Sequence, residues 1–246
     1  MKESQLVYGI RPVIEAIRSG IEIEKIFIQS SLQGALLQEL KEELKGKRII
    51  VQYVPVEKLD RLTRNNHQGV VAAMSMIEYH NFEEVVTQVI ERGEKPFIIM
   101  LDRVTDVRNL GAICRSAECA GVNTVVIPQH GSAQINEDAI KTSAGALLRL
   151  PVCREENLKT TINIAKQLGI KVYAATEKGS INYTKADMKE SIMIIMGAED
   201  TGVMPEIIKM CDGKLKIPIK ANIESLNVSV AAGILMYEVV RQRSEE

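Results

Sequence analysis

Four short, almost unbroken apolar runs constrain this chain more than anything else in it: FIIML at 97–101, TVVIP at 124–128, KVYAA at 171–175 and SIMIIM at 191–196. They are too short for core helices, and they lack the alternation of a strand with one wet face. They read as strands buried on both sides. Between them fall helical stretches at 112–120, 137–142 and 158–168, a short strand at 150–153 and a closing helix from Asn227. Strands alternating with helices give a parallel sheet covered on both faces, an α/β domain whose ligands bind at the carboxyl ends of the strands.

The front of the chain alternates on a smaller scale. Helical spacing at 11–19 begins near Pro12 and stops at Gly20; KIFIQ at 25–29 is a strand; and Leu36, Leu37, Leu40 and Leu44 form an apolar stripe on a helix over 32–44. A strand over 48–54, a helix over 55–63 and a strand over 69–77 complete a small α/β domain over 1–77. Residues 78–95 read as a linker holding one helix, capped by Asn81 and ended by Gly93, and 96–246 form the second domain. A hydrophobic content of 46% supports two cores.

The balance of charge sets a limit on partners. Lys and Arg number 31 against 32 Asp and Glu, so any nucleic-acid surface must be a local patch. Cys114, Cys119, Cys153 and Cys211 show no paired spacing and no ligand pattern with His67, His80 or His130, which argues against zinc and against a disulfide framework and fits a reducing cytoplasm. The opening MKESQLVYGIRPVIEAI has no apolar core of signal length, and no run approaches the roughly 18 apolar residues of a membrane span. The expectation is a soluble, cytoplasmic protein with no membrane partner.

Three polar stretches interrupt the apolar pattern. In DRVTDVRNLGAICRSAE, Asn109 can cap a helix that carries Arg115 about one and a half turns in. Arg115 can clamp an RNA phosphate through two hydrogen bonds, or serve as an ordinary exposed salt-bridging side chain. In IMGAEDTGVMP, Gly197 and Gly202 bracket Glu199 directly after a strand; without Gly-Lys-Ser/Thr this is no phosphate loop, and read alone it is a structural turn as readily as a site. In IPIKANIESLNVSVAA, the cluster Glu224, Ser225 and Asn227 heads the last helix, where Ser225 can equally be a simple cap and Asn227 a first-turn partner.

Taken in order and at these separations, NLGAICRSAECAGV, IIMGAEDTGVMPE and IPIKANIESLNVSVAAGIL resemble the three motifs of the SpoU/TrmH family (SPOUT superfamily) of S-adenosylmethionine-dependent RNA 2′-O-ribose methyltransferases. The resemblance covers about 97–243. More weakly, YGIRPVIEAIRSG and NHQGVVAA resemble the small RNA-binding domain that many members carry in front. Val107 stands where the family often has proline.

The resemblance implies a C-terminal trefoil knot, an exception to the rule that chains avoid threading; alternation alone implies only an ordinary doubly wound sheet. It implies that S-adenosylmethionine is held by three loops: Ala175, Thr176 and Glu177; Met196, Gly197 and Ala198 with Gly202; and Ile217, Ile219 and Leu226. The loop Thr142–Ala146 also resembles a family loop near this pocket. Asn109, Arg115, Glu199, Ser225 and Asn227 form the implied catalytic cluster. Arginine as general base is chemically strained, because a neutral guanidine is rare at neutral pH; Arg115 pairing with the target phosphate, with that phosphate or Glu199 assisting proton removal, is the alternative. Members are homodimers with active sites at the subunit interface, so a role for Arg115 across it is open, and the apolar helix over 228–240 suits either a partner or a core.

In the front domain, Arg11, Arg18, Lys25, Arg61, Arg64 and His67 are candidates for RNA contact, with ordinary solvated surface as the competing reading and His67 equally a turn residue. By resemblance the substrate is RNA, with a guanosine of 23S ribosomal RNA first and tRNA second, in a loop or single strand rather than a helix. Two rivals stand beside this: a binding-only protein of the same fold, which has no need for the polar set, and a nucleotide-dependent oxidoreductase, which lacks GxGxxG after its first strand.

Overall fold

The computed structural model describes residues 6–47, 49–220 and 225–244, and the chain divides into two compact units, Met1–Glu78 and Tyr79–Glu246. The first contains β1 (Leu6–Tyr8), α1 (Ile10–Arg18), β2 (Ile23–Gln29), α2 (Ala35–Leu44), β3 (Ile50–Val54), α3 (Val56–Leu62) and β4 (Val70–Met74). Its sheet runs β1-β4-β2-β3; β2 and β3 are parallel, and β4 is antiparallel to both its neighbours. Side chains alternate across it. Ile26, Ile28, Val70 and Ala72 meet Val13, Ile14 and Ile17 of α1 and Leu37 and Leu40 of α2, while Phe27, Val71 and Ala73 meet Leu59 of α3. Helix α2 starts three residues later than its spacing predicts, because Gly34 takes φ 122° and turns the chain there.

The second unit opens with β5 (Tyr79–His80) and α4 (Phe82–Glu91), followed by β6 (Phe97–Asp102), α5 (Val107–Cys119), β7 (Thr124–Pro128), α6 (Glu137–Thr142), β8 (Val152–Glu155), α7 (Leu158–Gln167), β9 (Lys171–Ala175), β10 (Ile181–Asn182), β11 (Ile192–Gly197), α8 (Pro205–Ile208), β12 (Gly213–Lys216) and α9 (Val228–Ser244). Among the described residues the strands form one sheet in the order β10-β12-β9-β11-β6-β7-β8-β5, parallel throughout. One face buries Ile98, Met100, Val126, Val172, Met193 and Ile195 under Phe82 and Val86 of α4, Leu158 and Ile162 of α7 and Ile207 of α8. Alternation sends Phe97, Ile99 and Leu101 to the other face, and α5 and α9, which lie side by side, belong to that layer. No described helix is long and apolar enough to cross a membrane.

Of the stretch 78–95 read as a linker with one helix, residues 79–95 fall within this second unit and Glu78 within the first. Tyr79 and His80 pair with Val152 and Cys153 at the sheet edge, Asn81 caps α4 by accepting the N–H of Glu84 at 3.2 Å, and Phe82 and Val86 are buried in the core. Burying two such side chains contributes about 1.5–3 kcal/mol each, enough to dock the segment. Strand β12 was not expected either: in Gly213-Lys214-Leu215-Lys216 only Leu215 is buried, so the stretch carries no apolar run. The sheet bears out the parallel α/β expectation; the expected trefoil knot is not established by strand order, and residues 221–224 lie outside the described residues.

Candidate active site

The carboxyl ends of β9, β11 and β12 and the head of α9 surround one cavity of about 370 Å³. Its apolar wall is built by Leu215, Ile217, Leu226, Val228 and Leu235, and Ala231 keeps the helix side slim. Thr176, Glu177, Glu199, Ser225 and Asn227 bring the polar atoms. All ten residues expected around a methyl donor, Ala175, Thr176, Glu177, Met196, Gly197, Ala198, Gly202, Ile217, Ile219 and Leu226, line this one space. Leu215, Val228, Ala231 and Leu235 line it as well and were not foreseen. The last three recur along α9 at 228, 231 and 235, a helical face that the spacing contained.

Two close backbone approaches shape the cavity. A Cβ on Gly197 would overlap the carbonyl carbon of Gly202 and the nitrogen of Val203, because the 198–202 turn folds back on itself with Gly202 N donating to Ala198 O at 2.9 Å. A Cβ on Gly179 would sit 2.6 Å from the carbonyl carbon of Leu215. Glycine is therefore required on both sides of the cavity by space alone.

The turn after β11 is tied to the end of β6. Asp102 is fully buried; its Oδ2 accepts the N–H of Met204 at 2.7 Å and its Oδ1 accepts Arg103 Nε at 3.0 Å. Arg103 stands at φ 59°, and this left-handed conformation belongs to a guanidinium that also donates to Gly202 O at 3.1 Å and Thr201 Oγ1 at 3.2 Å. The hydrogen bond to Asp102 raises the guanidinium above its ordinary range.

Three of the five residues expected to be catalytic form a contiguous chain. Asn227 Nδ2 donates to Asn109 Oδ1 at 3.0 Å, and Asn109 Nδ2 donates to Glu199 Oε1 at 2.7 Å. Asn109 does not cap its helix: Asp106 does, accepting the Asn109 N–H at 2.8 Å, which starts α5 at Val107 rather than at Ala112 and frees the Asn109 side chain for the site. Val107 is thus the first helical residue, a position where proline and valine both fit. Asn227 rather than Ser225 caps α9, accepting the N–H groups of Ser229 and Val230. Ser225 is exposed on the cavity rim, and Glu224 lies outside the described residues.

Arg115 is not part of this cluster. It is exposed, and six residues after Asn109 it lies about 9 Å along α5 and on another side of the helix. The loop Thr142–Ala146 does not line the cavity. It packs on α5, where a Cβ on Gly111 would come within 2.7 Å of Thr142 Cβ and 2.9 Å of Ala139 O.

In the front unit the six candidate RNA contacts separate into two kinds, with half-buried Lys25 standing over the Phe27 ring at 5.8 Å. Arg11, Arg61 and Arg64 are exposed. Arg18 donates to Glu43 at 2.8 Å and Glu39 at 2.9 Å, which neutralises it and ties α1 to α2. His67 accepts the Gly69 N–H through Nδ1 at 3.0 Å, which puts its ring proton on Nε2, 3.0 Å from Asp60 Oδ1. One nitrogen serves the turn and the other ties it to α3.

Comparison with known proteins places this geometry. The pattern of the SpoU rRNA Methylase family matches residues 96–237, and that of the RNA 2′-O ribose methyltransferase substrate-binding family matches residues 6–80. A protein of Staphylococcus epidermidis assigned to the TrmH family of tRNA/rRNA methyltransferases is 35% identical over 243 residues, 99% of this chain and 98% of its own; one of Staphylococcus aureus strain MSSA476 is 36% identical over the same span. The SpoU methyltransferase AviRb of Streptomyces viridochromogenes, solved with AdoMet, superposes with a TM-score of 0.61 at 23% identity over 97% of this chain and 90% of that one. The TrmH/SpoU tRNA modifying enzyme of A. aeolicus superposes at 0.57 with 30% identity over 67% of this chain and 85% of that one.

Proposed function

Because this chain belongs to the SpoU rRNA methylase family, we propose that it transfers a methyl group from S-adenosylmethionine to the 2′-hydroxyl of a ribose in RNA, with a guanosine of 23S ribosomal RNA as the target. The observation that carries this reading is the cavity at the strand ends with the Asn227, Asn109 and Glu199 chain on its rim. Its residues fit the donor: apolar walls and small residues suit an adenine ring, and the carboxylates of Glu177 and Glu199 suit a ligand with ribose hydroxyls and cationic centres. The donor supplies, when bound, a methyl group on a sulfonium that leaves as a neutral thioether.

This chain's own residues then have two tasks. Alignment falls to Met196, Gly197, Ala198 and Gly202 on one side and to Ile217, Ile219 and Leu226 on the other, with Ala175, Thr176 and Glu177 closing the third; positioning of this kind contributes several kcal/mol to lowering a barrier. Proton removal falls to the polar rim, where Glu199 is the basic group, Asn109 and Asn227 orient it and Ser225 faces the same space; acid–base assistance contributes about 10²- to 10⁴-fold. Arg115, exposed and on another side of α5 from Asn109, pairs with the phosphate of the target nucleotide at the site of a second copy. Val230 and Tyr237, exposed seven residues apart on α9, support a homodimer through that helix. Arg11, Arg61 and Arg64 contact RNA backbone in the front unit. The protein works in the cytoplasm, a reading supported by four cysteines that form no disulfide among the described residues.

A tRNA substrate is the second reading, favoured by the likeness to the A. aeolicus tRNA modifying enzyme. The test is transfer of labelled methyl from S-adenosylmethionine to total RNA from cells lacking the protein, followed by mapping of the modified nucleotide. Label on one ribose of 23S RNA supports the first reading. Label confined to tRNA supports the second, and absence of transfer with the donor bound overturns both.

A further inference from the structure

The amides of Asn227, on the cavity rim, and of Asn109 beside it have only one possible orientation. The N–H groups of Ser229 and Val230 can only donate, so the Asn227 atom that faces them, at 2.9 and 3.3 Å, is its oxygen. The Ser229 hydroxyl brings a third donor to the same oxygen at 2.6 Å. Asn227 must therefore turn its NH₂ to Asn109, which must meet it with oxygen, at 3.0 Å. That leaves the NH₂ of Asn109 for Glu199, whose Oε1 accepts it at 2.7 Å. Reversing any link would set two oxygens or two NH₂ groups face to face. Among the described residues, the second oxygen of Glu199 accepts no hydrogen bond.

We propose that Asn227, Asn109 and Glu199 form a one-way hydrogen-bond line whose direction is set by the head of α9, that Ser229 is the positioning residue that locks it, and that its output is a Glu199 carboxylate with one oxygen filled and the other held open for the ribose hydroxyl proton. The proposal rests on the methyl-transfer reading, in which Glu199 is already the basic group, and adds to it a direction and a positioning residue. In the transfer, ribose O2′ forms a bond to the methyl carbon as the S–CH₃ bond breaks and leaves its electron pair on sulfur; the hydroxyl proton passes to the open oxygen of Glu199. A line pointing the other way would present the Asn109 carbonyl to Glu199, and only a protonated carboxyl could meet it. Ser229 matters because it adds the third donor that makes Asn227 costly to turn over.

The discriminating variant is Asn227→Asp. Aspartate caps a helix as well as asparagine, so a capping role alone leaves folding and activity unchanged. In the line, a carboxylate at 227 has no NH₂ for Asn109; it draws the Asn109 NH₂ to itself and away from Glu199. The expected result is an unchanged melting temperature, a dissociation constant for S-adenosylhomocysteine within about threefold of wild type, and methyl transfer to total cellular RNA slowed by about 100-fold or more. Ser229→Ala lowers kcat about tenfold at unchanged donor KM, and Ser229→Thr, which keeps the hydroxyl, restores it. Wild-type turnover by Asn227→Asp overturns the line. A Ser229→Ala loss that falls on KM or on stability, or is not rescued by threonine, overturns the positioning role. Should wild type itself transfer no methyl group, the functional reading falls, and a crystal structure of Asn227→Asp decides the line independently: Asn109 still bonded to Glu199 overturns it, and Asn109 turned to residue 227 supports it.

Discussion

Asp102 and Met204, one ending β6 and the other just past the β11 turn, are joined by a 2.7 Å hydrogen bond from the Met204 N–H to Asp102 Oδ2. With Arg103 bridging Asp102 to Gly202 O, the loop that forms one wall of the cavity is anchored to the neighbouring strand by a buried carboxylate. Removing one partner of such an arrangement leaves buried polar groups unmatched.

Asp102→Ala is therefore expected to destabilise the protein by roughly 2–4 kcal/mol and to weaken donor binding along with it. Asp102→Asn, which keeps an acceptor for Met204 but gives up the charge facing Arg103, falls between. Urea denaturation with and without S-adenosylmethionine separates the two losses. Wild-type stability for Asp102→Ala would show that the loop is held by other contacts.

Gly197→Ala tests the cavity by volume alone. The added methyl has no space, since backbone of Gly202 and Val203 already occupies it, and backbone cannot swing away as a side chain tip does. Donor binding measured by calorimetry is expected to disappear while the far-ultraviolet circular dichroism of the sheet persists. Retained binding at wild-type affinity would mean that the 198–202 turn opens without cost.

How much of this was legible beforehand depended on burial. The runs at 97–101, 124–128, 171–175 and 191–196 are strands because both of their faces are covered, and their composition said so. Strand β12, where only Leu215 is buried, and the two-residue β5 leave no such trace. At the site, residue types were readable but pairings were not. Asp106 and Asn109 are both good caps, as are Ser225 and Asn227, and spacing cannot say which carbonyl or carboxylate takes the cap and which side chain is left for chemistry. Arg18 looked like a free cation because Glu39 and Glu43 reach it from a different helix.

The tail of α9 makes a prediction about pH. Gln242 donates to Glu238 Oε1 at 2.7 Å and to Ala186 O at 3.0 Å, fastening the helix to the chain before β11. The hydrogen bond from Arg241, with help from Gln242, holds the Glu238 carboxyl below its ordinary value of 4.5. A carboxyl lowered on folding contributes stability that is fully present above its unfolded value and is lost as pH falls through its folded value. Wild type should lose stability below about pH 4.5 more steeply than Glu238→Gln. Asp187 and Asp212 are lowered too and act with the same sign, so the measured quantity is the difference between wild type and variant, by thermal unfolding from pH 7 to 3.5. Parallel curves would remove Glu238 from the acid transition.

The exposed arginines of the front unit give the last test, because their partners differ. Arg18 is engaged by Glu39 and Glu43, so bringing it to a phosphate means breaking ion pairs that join α1 and α2. Arg11, Arg61 and Arg64 have no ion pair among the described residues. Each cation that neutralises a phosphate displaces counterions and adds close to one to the slope of log affinity against log salt, somewhat less on single strands. The triple variant Arg11→Ala, Arg61→Ala, Arg64→Ala is expected to flatten that slope by about two for a ribosomal RNA fragment. Arg18→Ala should leave the slope in place and lower the midpoint of thermal unfolding slightly. If instead the triple variant keeps the wild-type slope while Arg18→Ala flattens it, the RNA lies along α1 and α2, and the carboxylates of Glu39 and Glu43 are released from Arg18 when it binds.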